Sequence, residues 1–78
     1  MKISATVYAI DDEGAPRLFG WGVHLESTGD RGEDVIAITR ALKMPFPVVI
    51  SHQNGDAYTM EWPDCDIIAR VQPVPANN

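Results

Sequence analysis

Two stretches that alternate apolar and polar residues, one apolar stripe at helical spacing, and three later β-rich runs divided by turn residues predict an α+β domain. The expected order is ββαβββ, a two-layer arrangement with one helix packed on an antiparallel sheet of four or five strands. At 78 residues the chain is a single domain, globular over 1–72 with an extended Pro/Asn tail over 73–78. A chain of this size buries only roughly 60–65 % of its unfolded surface. That argues against a large multi-substrate cleft.

Residues 2–10 (KISATVYAI) place Ile3, Ala5, Val7 and Ala9 on one side and Lys2, Ser4, Thr6 and Tyr8 on the other, the pattern of a half-buried strand. DDEGAP at 11–16 is loop chemistry. The alternation resumes over 17–26, with Phe19, Trp21, Val23 and Leu25 on one face and Leu18, Gly20, Gly22, His24 and Glu26 on the other. The two runs form a hairpin with a six-residue acidic loop. Asp30 followed by Glu33 has the spacing of a capping box. Glu33 and Asp34 occupy the first helical turn, where the dipole favours acids. Val35, Ile38, Ala41 and Leu42 make an apolar stripe, Arg40 and Lys43 suit the last turn, and Pro45 stops the helix by forcing Met44 out of the α region. The helix is expected over 31–43.

FPVVISH (46–52) and AYTMEW (57–62) flank QNGD. A two-residue Asn54-Gly55 loop would set Ile50 against Thr59 and Val48 against Glu61. A three-residue loop, Gln53–Gly55, sets Ile50 against Tyr58 and Val48 against Met60, and is preferred, with Gly55 in the left-handed region. It puts Val48, Ile50, Tyr58, Met60 and Trp62 on one face. Pro63 sits at the second position of a type I turn. The last strand, 66–72, carries Ile67, Ala69 and Val71 inward. The aromatic residues are assigned to the core except Tyr8, which falls on the polar side of the first strand.

Acids outnumber bases 11 to 6, a net charge of −5. Six scattered cations cannot assemble the basic patch that direct nucleic-acid binding needs. A lone cysteine excludes an internal disulfide and suits a reducing compartment. With neither a signal-peptide pattern nor a membrane-length apolar run, the expected location is the cytoplasm. Cys65 lies between Asp64 and Asp66, the opposite of the electropositive setting a reactive thiolate requires. His24 and His52 have no metal-ligand spacing and no nucleophile spaced to partner them. Neither a cofactor nor a metal is expected, and the chain does not read as an enzyme. The Gly20/Gly22 side of the second strand is either a shallow groove for a ligand or room required by packing or a bulge.

What remains is an acidic surface. The candidate partner-binding residues are Asp11, Asp12 and Glu13 at the hairpin tip, Glu26, Asp30, Glu33 and Asp34 around the helix start, and Tyr8 as an exposed anchor. They suggest a protein–protein interaction module, monomeric or homodimeric, whose carboxylates engage the basic surface of a larger partner. By occupying a surface that binds nucleic acid, it would act as an inhibitor. In size, charge and compactness the chain resembles small phage-encoded inhibitors of bacterial defence complexes, the anti-CRISPR proteins among them. That resemblance covers no particular residues. An alternative is an assembly subunit that pairs through exposed sheet edges. A third is a small-molecule binding domain with its pocket between the helix and the glycine face of the second strand.

Overall fold

The computed structural model describes residues 1–75. Its strands are β1 (Lys2–Ile10), β2 (Pro16–Glu26), β3 (Val49–Asn54), β4 (Ala57–Trp62) and β5 (Ile67–Pro73), with a helix α1 (Arg31–Ala41) between β2 and β3 and a 3-10 turn at Pro63–Cys65. They form a five-stranded antiparallel sheet in the order β2-β1-β5-β4-β3. β5 slots between β1 and β4, leaving β2 and β3 as the two edges. The fold is thus α+β with one helix, in the expected element order.

The core follows the alternation. Ile3, Ala5 and Val7 of β1, Tyr58, Met60 and Trp62 of β4, and Ala69 and Val71 of β5 are buried with Val35, Ile38 and Leu42 from the helix segment. Val48, Ile50 and Ile67 pack against them. Trp62 also donates its indole N–H to the Pro45 carbonyl at 2.9 Å, pinning the segment between α1 and β3.

The helix begins as expected and ends differently. Asp30 is the N-cap, in extended geometry at φ −108° and ψ 115°. Its Oδ1 accepts the Gly32 and Glu33 amides at 2.8 and 3.3 Å. The reciprocal half of a capping box is absent, because the Asp30 amide is taken by Thr28 Oγ1 at 3.2 Å. At the other end Lys43 turns left-handed (φ 57°). The Met44 amide reaches back to the Thr39 carbonyl and the Lys43 amide to that of Arg40. This closing motif ends the helix at Ala41 rather than at 43, so that Arg40 lies in the last turn as expected and Lys43 falls beyond it. Ala41 lies exposed, and Thr39 takes its place in the buried stripe.

Three expectations are corrected in the strands. The β3–β4 register is neither one considered: Ile50 pairs with Met60, Ser51 with Thr59, and Asn54 with Ala57. The tip is Gly55-Asp56, and His52 and Gln53 bulge opposite Tyr58, His52 at φ 49°. The shift is two residues, so each side chain keeps its expected face.

In β2, Phe19 and Gly20 form a second irregularity between the pairs Val7–Trp21 and Tyr8–Leu18, with Gly20 at φ 74°. Phe19 is 53 % exposed and Trp21 39 %, and Phe46 before β3 is also exposed, so these aromatics are not core. The reason is position in the sheet. Trp21 lies level with Val7 and Ala69, which are fully buried, so the cover reaches this level over the inner strands and stops short of the β2 edge. Only Val23 and Leu25 of β2 pack against the core.

In the third correction, Pro73 belongs to β5 and Val74 donates to the Lys2 carbonyl, so the described start of the tail continues the sheet. The remainder of the expected Pro/Asn tail, 76–78, lies outside the described residues.

Candidate functional site

The β1–β2 register separates the acids into two groups. Ile10 pairs with Pro16 at one end of the hairpin and Lys2 with Glu26 at the other, about 27 Å apart along β1. Asp11, Asp12 and Glu13 therefore occupy the end opposite Glu26, Asp30, Glu33 and Asp34. The two groups are separate patches.

At the loop end, Asp11 is committed within the chain. Its Oδ1 accepts the Glu13 and Ala15 amides at 3.0 and 2.9 Å, and its Oδ2 accepts Arg17 Nε at 3.0 Å. The Ala15 amide first, then Arg17, hold its carboxyl below the usual aspartate range. Asp11 organises a five-residue loop rather than serving as a free tip charge. Asp12 and Glu13 are the exposed acids there. Asp66 joins this end, because its carbonyl accepts the Ile10 amide at 2.8 Å.

At the helix end, Asp34 is the residue that departs from expectation. It is only 5 % exposed. Its carboxylate receives Ser27 Oγ on one oxygen and the Thr28 amide and hydroxyl on the other, at 2.9 and 3.2 Å. Burial opposes its ionisation, yet these hydrogen bonds outweigh burial and set its pKa below the ordinary value. Asp34 thus staples the β2–α1 turn to the first helical turn and offers no surface charge. Asp30, the cap, and Glu33 remain exposed. Glu26 is exposed with its carboxylate 3.2 Å from the Met1 amine.

A further acid, Asp56, comes from the β3–β4 turn. Because β4 runs antiparallel to β5 and β5 to β1, the Gly55-Asp56 tip returns to the helix-start end of the sheet. Asp30, Arg31, Gly32 and Asp34 line one side of a cleft of about 410 Å³, and Gln53, Gly55, Asp56 and Tyr58 line it too. The signal was present only as a turn-favouring Asp in QNGD, and sequence spacing alone does not bring it to Asp30.

Tyr8 lies on the sheet face away from α1, half-buried, with the Arg70 guanidinium 4.8 Å from its ring centroid. That cation–π contact occupies part of the ring expected to serve as an anchor. Gly20 and Gly22 line an open cleft of about 480 Å³ on β2 with Leu18 and Trp21, and each also has a local structural reason. A Cβ on Gly22 would lie 2.6 Å from the Ala5 carbonyl oxygen, and Gly20 supplies the positive φ of the bulge. Gly22 pairs with Thr6, on the side away from α1, so a pocket between the helix and this glycine face does not form. His24, His52 and Cys65 fall on β2, the β3 bulge and the 3-10 turn, and all are exposed. No helix among the described residues is long and apolar enough to cross a membrane. No family of known proteins, no curated protein and no solved structure matches this chain, so its functional reading rests on its own residues.

Proposed function

We propose that this protein is a cytoplasmic interaction module that presents exposed carboxylates to a basic surface of a larger partner, and that it inhibits the partner by competing there with nucleic acid. One observation carries the reading. The fold gathers Glu26, Asp30, Glu33 and Asp56 from three separate elements to one end of the sheet, and places Asp30 and Asp56 on the same cleft. Asp12 and Glu13 form a second, separate patch. Charge arranged this way steers encounter with a cationic surface and sets the association rate.

The test is capture of partners from the source cell on the wild-type protein and on Glu33→Lys/Asp56→Lys, with mass spectrometry. Each captured partner's affinity for nucleic acid is then measured with and without the protein. The reading expects a nucleic-acid-binding partner that is lost with the charge-reversed variant and whose nucleic acid is displaced by the wild type. Capture that ignores the charge reversal, or a partner indifferent to nucleic acid, contradicts it.

A second reading is favoured by a different observation. β2 is an edge strand with Leu18 66 %, Phe19 53 % and Trp21 39 % exposed. Such an edge is a template for strand pairing with another chain. Sedimentation of the wild type against Phe19→Lys/Trp21→Lys decides it. A concentration-dependent dimer lost in the variant supports edge assembly, and a monomer at all concentrations removes it.

A further inference from the structure

We propose that the cleft between the start of α1 and the β3–β4 tip is a seat for one arginine side chain of the partner, with Tyr58 Oη at its floor and Asp30 and Asp56 at its rim. The proposal rests on the acidic-module reading and names the point at which a cationic side chain would enter.

Tyr58 is the observation that acidity alone does not supply. The residue is 7 % exposed, and its hydroxyl is buried with no hydrogen-bond partner among the described residues. A buried polar group left unpaired is destabilising, and native chains leave few of them. Burial raises the Tyr58 pKa. The Asp34 charge acts in the same direction and Arg31 opposes it. Tyr58 itself lines the cleft, together with Asp34 and Arg31.

The sign of the ligand follows from what the wall offers. The helix N-terminus would suit an anion, but Asp30 Oδ1 already holds the Gly32 and Glu33 amides. Two exposed carboxylates, Asp30 and Asp56, with the buried charge of Asp34 behind them, stand against one guanidinium, Arg31, and about half a charge from the helix dipole. Met1 also lines the cleft, with its amine paired to Glu26. The balance is negative, so a cation is favoured. Arginine fits better than lysine because its planar fork carries five donors. Those donors can meet Tyr58 Oη and two carboxylates that lie in different directions. Arg31 and Gln53 are exposed, flexible side chains on the wall, able to swing aside for entry.

The test titrates N-acetyl-arginine amide into the isotope-labelled protein and follows backbone amide resonances. The inference expects saturable shifts at Gly29, Arg31, Gly55 and Asp56 and none at Asp12 and Glu13. The lysine analogue should bind more weakly and the norleucine analogue not at all. Tyr58→Phe should weaken arginine binding about fivefold, the worth of one hydrogen bond. The same variant should be no less stable to urea, because it removes an unpaired hydroxyl. Asp56→Asn, at an exposed tip, should weaken binding by a similar factor. Equal shifts at both acidic ends, unchanged affinity in Tyr58→Phe, or acetate or phosphate shifting the same amides would each overturn the seat. The wider reading fails separately. It fails when a captured partner ignores Glu33→Lys/Asp56→Lys, whatever arginine amide does.

Discussion

Asp34 shows how one side chain can change role between sequence and fold. By position it is a first-turn acid attracted by the helix dipole. In the structure it is an internal acceptor for Ser27 and Thr28. Asp34→Ala should therefore cost about 2–4 kcal/mol in urea unfolding, since it strands several donors at once. Its folded pKa is depressed, so its stabilisation is complete at neutral pH. That stabilisation decays as pH falls through the unfolded value near 3.8 and on through the lower folded one. Urea midpoints measured from pH 7 down to about pH 3 should show this decline in the wild type and a shallower one in Asp34→Ala. Gly22→Ala meets the Ala5 carbonyl oxygen at 2.6 Å, a backbone atom that cannot yield without breaking the β1–β2 ladder. It should be among the most destabilising single changes. At this scale the sequence announced acids at the helix start. Which of them turns inward depends on the Ser27–Thr28 turn folding back, and no spacing rule encodes that.

The hairpins show a sharper division between what alternation determines and what it leaves open. A strand's period of two assigned Tyr58, Met60 and Trp62 to the core, and all three are buried. Register was not readable, because a bulge at His52–Gln53 absorbs a residue with no Pro or Gly to mark it. Gly55 does take positive φ, at 63°. With open space where a Cβ would go, Gly55→Ala should cost on the order of 1 kcal/mol through backbone strain alone. Calorimetry showing no change would contradict that. The cap is equally testable: Asp30→Ala should lose about 0.5–2 kcal/mol as two helix amides lose their acceptor. Alternation gives the aromatics of β2 a face but not a place in the sheet: β2 is an edge strand, and the layer that buries Val7 and Ala69 does not extend over Trp21.

The whole molecule places its acids at two opposite ends, and this arrangement governs any account of its binding. Composition gave the sign and magnitude of the charge. Topology decided where it gathers, because β5 inserts between β1 and β4 and so carries Asp56 to the helix start. Each end then makes its own prediction. Asp12→Lys/Glu13→Lys should leave the fold intact, since those side chains lie at an exposed tip, whereas Asp11→Lys should loosen the loop that Asp11 organises. The most direct measurement of the central claim is the association rate of the captured partner with wild type and with Glu33→Lys/Asp56→Lys, across roughly 0.05 to 0.3 M salt, where screening shortens from about 14 to 6 Å. Electrostatic engagement predicts a wild-type rate that falls steeply with salt and a variant that is slow throughout. Equal rates for both proteins, flat across the salt range, would contradict it and shift the contact to the apolar β2 edge.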